Sequence, residues 1–594
     1  MILIKLVRKD LIHIFVKRKE VERKRKMSFQ TIASESEAPN KLTLSDNGVL
    51  RRTEYHQPSA WGDYFLSNLS NILVMNIQEE DSVLKKLEEL KEAARSMFVA
   101  AEKHSDKLCL IDSIQCLGLS YHFEDEINEI LDQIQNSAHV DEEDEEDLYI
   151  IALKFRLLRQ QGFPVSCEIF NKFTTESGDF KESITKDEKG LLSLYEASHL
   201  RMKGESIMDE ALEFTTTQLE AMAMDSTSPF SQEAKYALKW PIYKTLSRFM
   251  TRHYISLYHN NPTKNDNNIL LTFAKLDYNS LQKLYQRELG ELSRWWNDSK
   301  LKEKLPFARD RVVESYIWAL GIYYEPKYSS ARTLLAKIIA LITLIDDMYD
   351  CYGTLEELQL FTNTIGRWDM NCIEELPNYM KVLYEAILKI YEGTIQDMCM
   401  DNNIPYAFDY AKEGIIRQCK LYMVEAKWFN EDYVPTIEEY MKVSATSIGL
   451  YAVASIAFLS IGNIVSEEIF QWVQGNPMLH KASEVASRLV NDIVSHKFGQ
   501  ERCHVTCSIE CYMEQYGVSK EVAIAELKKQ VDEARKEIIE DYIKRGKFPR
   551  VIHDYGPNFA RVTDFYYKER DGFTFANTET KHLIALILTD PMPI

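Results

Sequence analysis

The chain is short of helix breakers. Its 594 residues include 21 glycines and 16 prolines, each roughly half the usual frequency. So few turn and kink residues exclude a loop-rich fold and favour long helices. No stretch with a two-residue hydrophobic period stands out, which argues against a β sandwich or barrel. Positive charge is scarce as well. Against 91 Asp and Glu stand 71 Lys and Arg, a net charge of −20, and so acidic a chain makes a poor partner for nucleic acid. The ten cysteines contain no Cys-x-x-Cys pair and lie too far apart for a disulfide scaffold, so reduced thiols and a cytoplasmic location are expected. Cys503, Cys507 and Cys511 share one face if they lie on one helix. Residues eight apart on a helix are about 12 Å from each other, too far to share one zinc, so they read as packing cysteines.

What is present is ample material for a core: 45% hydrophobic residues, with 32 Tyr, 26 Phe and 8 Trp. The expected fold is all-α, in two helical domains. Residues 1–50 read as a basic extension and a polar, disordered leader, residues 51–260 as an N-terminal helical domain, and residues 261–594 as a C-terminal domain carrying the active site. Residues 1–26 hold ten Lys or Arg against three acids, a pattern that fits neither a transit peptide nor a secretory signal. The Asn- and Asp-rich run from His259 to Asn268 marks the domain boundary. Val83, Leu87, Leu90, Ala94 and Met97 step like one face of a helix, as do Ile524, Leu527, Val531, Ala534 and Ile538 behind Ser519 as N-cap. Val443–Ser466 carries no charge and is long enough to span a bilayer. Its serines and asparagine, with no basic cluster after it, point to a central core helix instead, without stable membrane insertion.

The chemistry begins where an apolar run ends in Asp346-Asp347-Met348-Tyr349-Asp350. On one helix Asp346 and Asp350 share a face. Two carboxylates on a face repel each other unless a cation lies between them, and hard oxygen ligands suit Mg²⁺, which binds through one or two carboxylates plus substrate phosphates. Upstream lies Phe307-Ala308-Arg309-Asp310-Arg311, and arginine holds phosphate in a planar fork. Downstream, Arg488, Asn491 and Ser495 fall within about 60° of one another on a helix, offering a cation and two neutral oxygens on one face.

Together these pieces resemble the plant class I terpene synthases, in the sesquiterpene-forming branch. The resemblance runs from Arg51 to the C-terminus. Arg51-Arg52 precedes Trp61 by eight residues; Leu117 to Phe123 and Leu276-Asp277-Tyr278-Asn279 follow; then come Phe307 to Arg311 with Tyr316-Ile317-Trp318, Asp346 to Asp350, and His496-Lys497-Phe498 through Ser508 to Tyr512. It implies a monomeric enzyme that takes farnesyl diphosphate into a C-terminal helical pocket. Asp346 and Asp350 would bind two magnesium ions, with Asp347 belonging to the metal site from behind; Asn491 and Ser495 would hold a third, and Mn²⁺ would serve as a substitute. Arg309, Arg311 and Arg488 would neutralise the departing diphosphate, so that Arg309, Asp346, Asp350, Arg488 and Asn491 together bind the substrate. Trp318, Tyr566 and Phe573 would line the pocket with π faces that attract a carbocation. Arg51 and Arg52 would help close the lid, and Thr446-Ser447-Ile448-Gly449 would form a kinked pocket floor with freed carbonyls.

Two departures stand out. The family's second metal motif carries an acid eight residues after the asparagine; here that position is Gly499, and Gln500 and Glu501 point elsewhere round the helix. The third ion is therefore expected to bind weakly. Phe573 stands beside Asp571 where some relatives have tyrosine, so no proton relay can pass through that side chain, and the diphosphate itself is left as final base. A monoterpene synthase acting on geranyl diphosphate, and a catalytically impaired prenyl diphosphate binder, stay open as alternatives.

Overall fold

The computed structural model describes residues 41–44, 50–53, 56–73, 77–137, 146–260, 268–462, 464–499, 506–544, 546–576 and 578–594. The basic segment, most of the acidic run from Asp141, the heart of the Asn-rich linker, and Gln500 to Cys503 lie outside them. The described residues are overwhelmingly helical, as the shortage of breakers requires. One expectation is corrected. Within the stretch read as disordered, Lys41–Leu44 forms β1 and pairs antiparallel with β2, Leu50–Thr53. An Asn47-Gly48 step, the strongest short hairpin signal, lies between them; the polar composition around it masked that signal.

The N-terminal helices bury the faces their periodicity marks. In the helix Ile77–Ala100, Leu87, Leu90 and Ala94 are buried, and Val83 and Met97 pack against the same core. The longest helix, Asn268–Ser299, joins two cores. Leu270, Phe273, Ala274 and Tyr278 pack among the N-terminal helices, whereas Leu281, Tyr285, Leu289 and Leu292 join the large C-terminal core, together with Trp61, Phe65 and Trp240. The motif residues Tyr121 and His122 both reach Asp277 on this helix, His122 Nε2 at 3.0 Å. Two of the sequence motifs therefore stitch the halves together.

Buried polar contacts fix the helices that matter for function. Arg332, near the start of the helix Ser329–Asp347, lies fully inside the protein. Its Nη2 and Nε reach Glu288 at 2.6 and 2.9 Å, and Nη1 donates to the carbonyl of Glu325 at 2.6 Å. Tyr316 Oη adds a hydrogen bond to Glu288 at 2.6 Å. Removing either charge would strand the other, at a cost of about 3–5 kcal/mol. Most of this helix from Leu334 to Ile345 is Ala, Leu and Ile, all buried, and each large side chain contributes roughly 1.5–3 kcal/mol.

Two apolar segments, Pro326–Tyr352 and Ile437–Leu459, are long enough to cross a membrane, and their most apolar windows are 72% and 78% buried inside the protein. The second is not one helix. Ile437–Ser444 gives way to a short 3₁₀ turn at Thr446–Ile448, then to Leu450–Leu459 beyond Gly449 at φ 91°.

Candidate active site

The helix Ser329–Asp347 runs apolar into the core and delivers its carboxylates at its end. There the backbone departs from the expected single α-helix. Met348–Tyr352 is a π turn, closed by Gly353 N donating to Met348 O at 2.9 Å. Gly353 is needed there, because a Cβ would meet Leu358 Cδ2 at 2.5 Å. Asp346 and Asp350 nonetheless line the same cavity. The side chain of Asp350 is open to the cavity's solvent although protein surrounds it, and this enclosure, with Asp346 and Glu425 nearby, pushes its carboxyl well above the usual range. Asp347 borders the cavity too, but it is only 2% exposed. It takes the backbone N–H of Arg309 at 2.6 Å and pairs with Arg309 Nε at 2.7 Å. Arg309 also donates from Nη2 to Asp346 Oδ2 at 2.6 Å and from Nη1 to Thr574 Oγ1 at 2.9 Å.

The opposite wall is the helix Met478–Gly499. Arg488, Asn491 and Ser495 all face the same cavity. Arg488 is held in place: Nε donates to Ser444 O at 2.7 Å and Nη2 to Ser447 Oγ at 3.3 Å, and Asp492 lies 3.6 Å from Nη1. The hydroxyl of Ser495 is buried without a hydrogen-bond partner. Gly499 is the last residue of the helix.

The cavity between these walls has a volume of about 310 Å³, within the usual range for ligand pockets. A second cavity of about 440 Å³, where the domains meet, is lined by Arg156, Arg159, Arg550 and Arg561 and by none of the motif acids. The floor of the first is apolar: Trp318, Ile339, Ile342, Val453, Phe559 and Phe573 line it. Tyr566 does not. It stacks behind Trp318 at 5.9 Å and meets Phe573 edge-on at 5.6 Å, with its hydroxyl on Glu314 O at 3.0 Å. The next residue, Tyr567, faces the cavity instead. Of the floor's freed carbonyls, Ser447 O accepts Gln418 Nε2 at 2.5 Å and Leu450 O accepts Tyr555 Oη at 3.0 Å.

Arg311 departs most from expectation. It is absent from the cavity wall and 2% exposed. Its guanidinium donates to the carbonyls of Phe573 at 3.0 Å, Thr574 at 2.7 Å and Gln57 at 3.1 Å. The side chain clasps the 571–576 loop to the N-terminal segment, because folding that loop back presents carbonyls where an anion was expected. Asp571, at the loop's start, lines the cavity and accepts Thr574 N at 2.8 Å. Arg51 performs a similar task from β2. It forks onto Glu357 at 2.7 and 2.6 Å and lies 4.8 and 4.9 Å over the rings of Tyr352 and Tyr379, pinning the end of the π turn. The side chain of Arg52 lies outside the described residues.

Several cavity residues carried no sequence signal. Glu425, on the helix Ala407–Asn430, accepts Ser444 Oγ at 2.6 Å and Ser447 Oγ at 2.9 Å, and burial pushes its carboxyl up. His56 and Tyr422 also line the wall. Cys503 lies outside the described residues, and Cys507 and Cys511 do not share a helix face. Cys507 is the N-cap of Ser508–Tyr516, where Glu510 accepts its N–H at 3.1 Å and so starts the helix one residue after it.

The C-terminal half is a class I terpenoid synthase fold, preceded by a second helical domain. Residues 60–238 match the terpene synthase N-terminal domain and residues 297–537 the metal-binding domain of the terpene synthase family. (−)-Germacrene D synthase of Vitis vinifera is 44% identical, the match covering 94% of this chain and 98% of that protein. Sesquiterpene synthase 2 of Toona sinensis is 43% identical, over 92% and 97%. The crystal structure of isoprene synthase from grey poplar leaves, in complex with three Mg²⁺ ions and dimethylallyl-S-thiolodiphosphate, superposes with a TM-score of 0.81 at 32% identity, covering 89% of this chain and 99% of that one. The chain belongs to the terpene synthase family, whose members are lyases that convert prenyl diphosphates to terpenes using divalent metal.

Proposed function

We propose that the chain is a sesquiterpene synthase that ionises farnesyl diphosphate and cyclises the C15 cation, using Mg²⁺. One observation carries this reading: Asp346 and Asp350 on one wall and Arg488, Asn491 and Ser495 on the other line a single cavity with an aromatic floor. The relatives from Vitis vinifera and Toona sinensis support the product class by their names.

The residues present fit the metal. Two carboxylates open onto one cavity, where Asp346 helps to raise the proton affinity of Asp350, and a buried serine oxygen on the facing wall has no partner. Three ions are expected, two on the aspartate side and a weaker third on Asn491 and Ser495. Bound there, magnesium would draw off the negative charge that develops on the departing diphosphate. Arg309 now bridges Asp346 and Asp347; turning its guanidinium onto the diphosphate frees Asp346 and adds a cation at the leaving group. Arg488 needs no such turn, because Ser444 and Ser447 already hold it at the rim. Trp318 and Phe573 present π faces that stabilise a cation without offering it a nucleophile, and Tyr566 keeps Trp318 in place from behind. Phe573 carries no hydroxyl, which leaves the diphosphate as the final base. Arg51, His56 and Arg311 hold the N-terminal segment over the rim and so exclude water. The burial of both apolar segments supports an enzyme that acts without membrane insertion, and the reading takes it as a monomer of the cytoplasm.

Incubating the protein with farnesyl and geranyl diphosphate and Mg²⁺, with mass spectrometry of the volatiles and a diphosphate assay, tests the reading. Expected is a C15 terpene with stoichiometric diphosphate. Turnover of geranyl diphosphate alone would make it a monoterpene synthase, and no diphosphate at any metal concentration would make it a non-catalytic binder.

A further inference from the structure

Beside the asparagine wall lies a donor set that terpene synthesis does not use. His496 sits on the last turns of Met478–Gly499, and Cys507 and Glu510 on the N-cap and first turn of Ser508–Tyr516. Among the described residues they are the one set of three His, Cys, Asp or Glu groups close enough to hold a metal ion, with donor atoms within 4.8 Å of one another. His496 Nδ1 lies 2.9 Å from Glu510 Oε1 and 3.6 Å from Cys507 Sγ. His496 and Cys507 also line the cavity, next to Asn491 and Ser495.

The distances fit a tetrahedral ion. Zinc bonds of about 2.3 Å to sulfur and 2.1 Å to nitrogen put the two donors about 3.6 Å apart. The nitrogen–oxygen edge should be about 3.3 Å, so the carboxylate needs to withdraw only a few tenths of an ångström from its present hydrogen bond. The Cys507 sulfur caps the helix by accepting the Glu510 backbone N–H, and from that position it also lies 3.6 Å from the ring nitrogen that bonds Glu510. Thiol, imidazole and carboxylate together select zinc-like ions over magnesium. We propose that His496, Cys507 and Glu510 bind one zinc-class divalent ion, separate from the magnesium positions, with its fourth coordination position open to the cavity.

Binding displaces protons. Cys507 S–H gives its proton to solvent as the sulfur–metal bond forms, and the proton between His496 and Glu510 moves to Nε2 of the ring. The open position then takes water or a diphosphate oxygen. The site lies one helical turn before Gly499, so a bound ion would restore positive charge on the wall whose acidic metal ligand is missing. Its existence does not depend on whether the chain turns over a diphosphate.

The test is a Co²⁺ titration of the full-length, chelator-stripped protein in excess Mg²⁺. Expected is one equivalent of Co²⁺ with a sulfur-to-cobalt charge-transfer band, bleached by Zn²⁺. Cys507→Ser should remove the band while the far-ultraviolet helix signal persists, and Cys511→Ser and Asp346→Ala should both keep it. Glu510→Gln should keep the band with Co²⁺ affinity at least tenfold weaker. Adding inorganic pyrophosphate should shift the visible cobalt bands. A folded parent protein without the band, a band that survives Cys507→Ser, or cobalt spectra indifferent to pyrophosphate would overturn the proposal.

Discussion

The two walls of the cavity are built to different standards. The aspartate wall is dense in charge and stands on a firmly held backbone. Its helix is buried almost throughout, Arg309 bridges Asp346 and Asp347, and Arg51 on Glu357 pins the π turn that carries Asp350. The asparagine wall offers the Arg488 cation, the Asn491 amide and the Ser495 hydroxyl, with Asp492 and His496 beside them, and its helix ends on Gly499. Preorganised charge does more for catalysis than charge that must be gathered at the moment of reaction. The difference therefore assigns most of the metal and diphosphate binding to the first wall and leaves the second to complete it.

The largest loss is expected from Asp346→Ala. It removes a carboxylate facing the cavity and leaves Arg309 paired to Asp347 alone. A loss of kcat of about 10³-fold or more is expected, read as diphosphate release under saturating Mg²⁺. A variant at near-parent rate would overturn the mechanism. Arg488→Ala should come next, with a loss of about 10²-fold in kcat, because it deletes the cation of the weaker wall and takes the ion-pair partner from Asp492. If Arg488→Ala proves more damaging than Asp346→Ala, the ranking of the walls is reversed.

What could be read in advance follows from how the chemistry is coded. That Asp346, Asp350, Asn491 and Ser495 would face one cavity was legible because residues on one helix face follow fixed spacings. The all-helical fold was legible because glycine and proline are scarce. What escaped depends on contacts between distant segments. The π turn needs Leu358 packed against Gly353. Arg311 binds carbonyls because the 571–576 loop folds back onto it. Glu425 is a lone acid on an ordinary helix, and only the fold brings it to Ser444 and Ser447. Tyr566 and Tyr567 are chemically alike, and the turn of the chain at the end of the helix Arg550–Tyr566 decides which one meets the cavity.

A smaller effect sharpens the comparison from the second wall. Gly499→Glu places a carboxylate where the helix ends, in the register of Asn491 and Ser495. The Mg²⁺ concentration for half-maximal turnover should fall by about tenfold, or ~1.4 kcal/mol. Equal metal dependence in the two proteins would show that the missing acid costs nothing, and that water or another group already serves the third ion.

The smallest effect concerns the stability cost of the first wall's charge. The carboxyl of Asp350 is held above its ordinary range by its enclosure and by Asp346. An acid raised in this way binds its proton more readily folded than unfolded. Its unfavourable contribution is absent below the unfolded pKa of about 3.9 and grows as pH rises towards the folded value. At neutral pH without metal, Asp350→Asn should therefore raise Tm, by about 1 °C in a protein of this size, and flatten the decline of Tm with rising pH. With Mg²⁺ and pyrophosphate present the order should invert, because the parent gains binding energy that the variant cannot. Thermal melts of both proteins, in chelator and in metal plus pyrophosphate, separate these outcomes. A variant less stable in both would mean that Asp350 is anchored by contacts of its own, and that the repulsion between the aspartates is already relieved by Arg309.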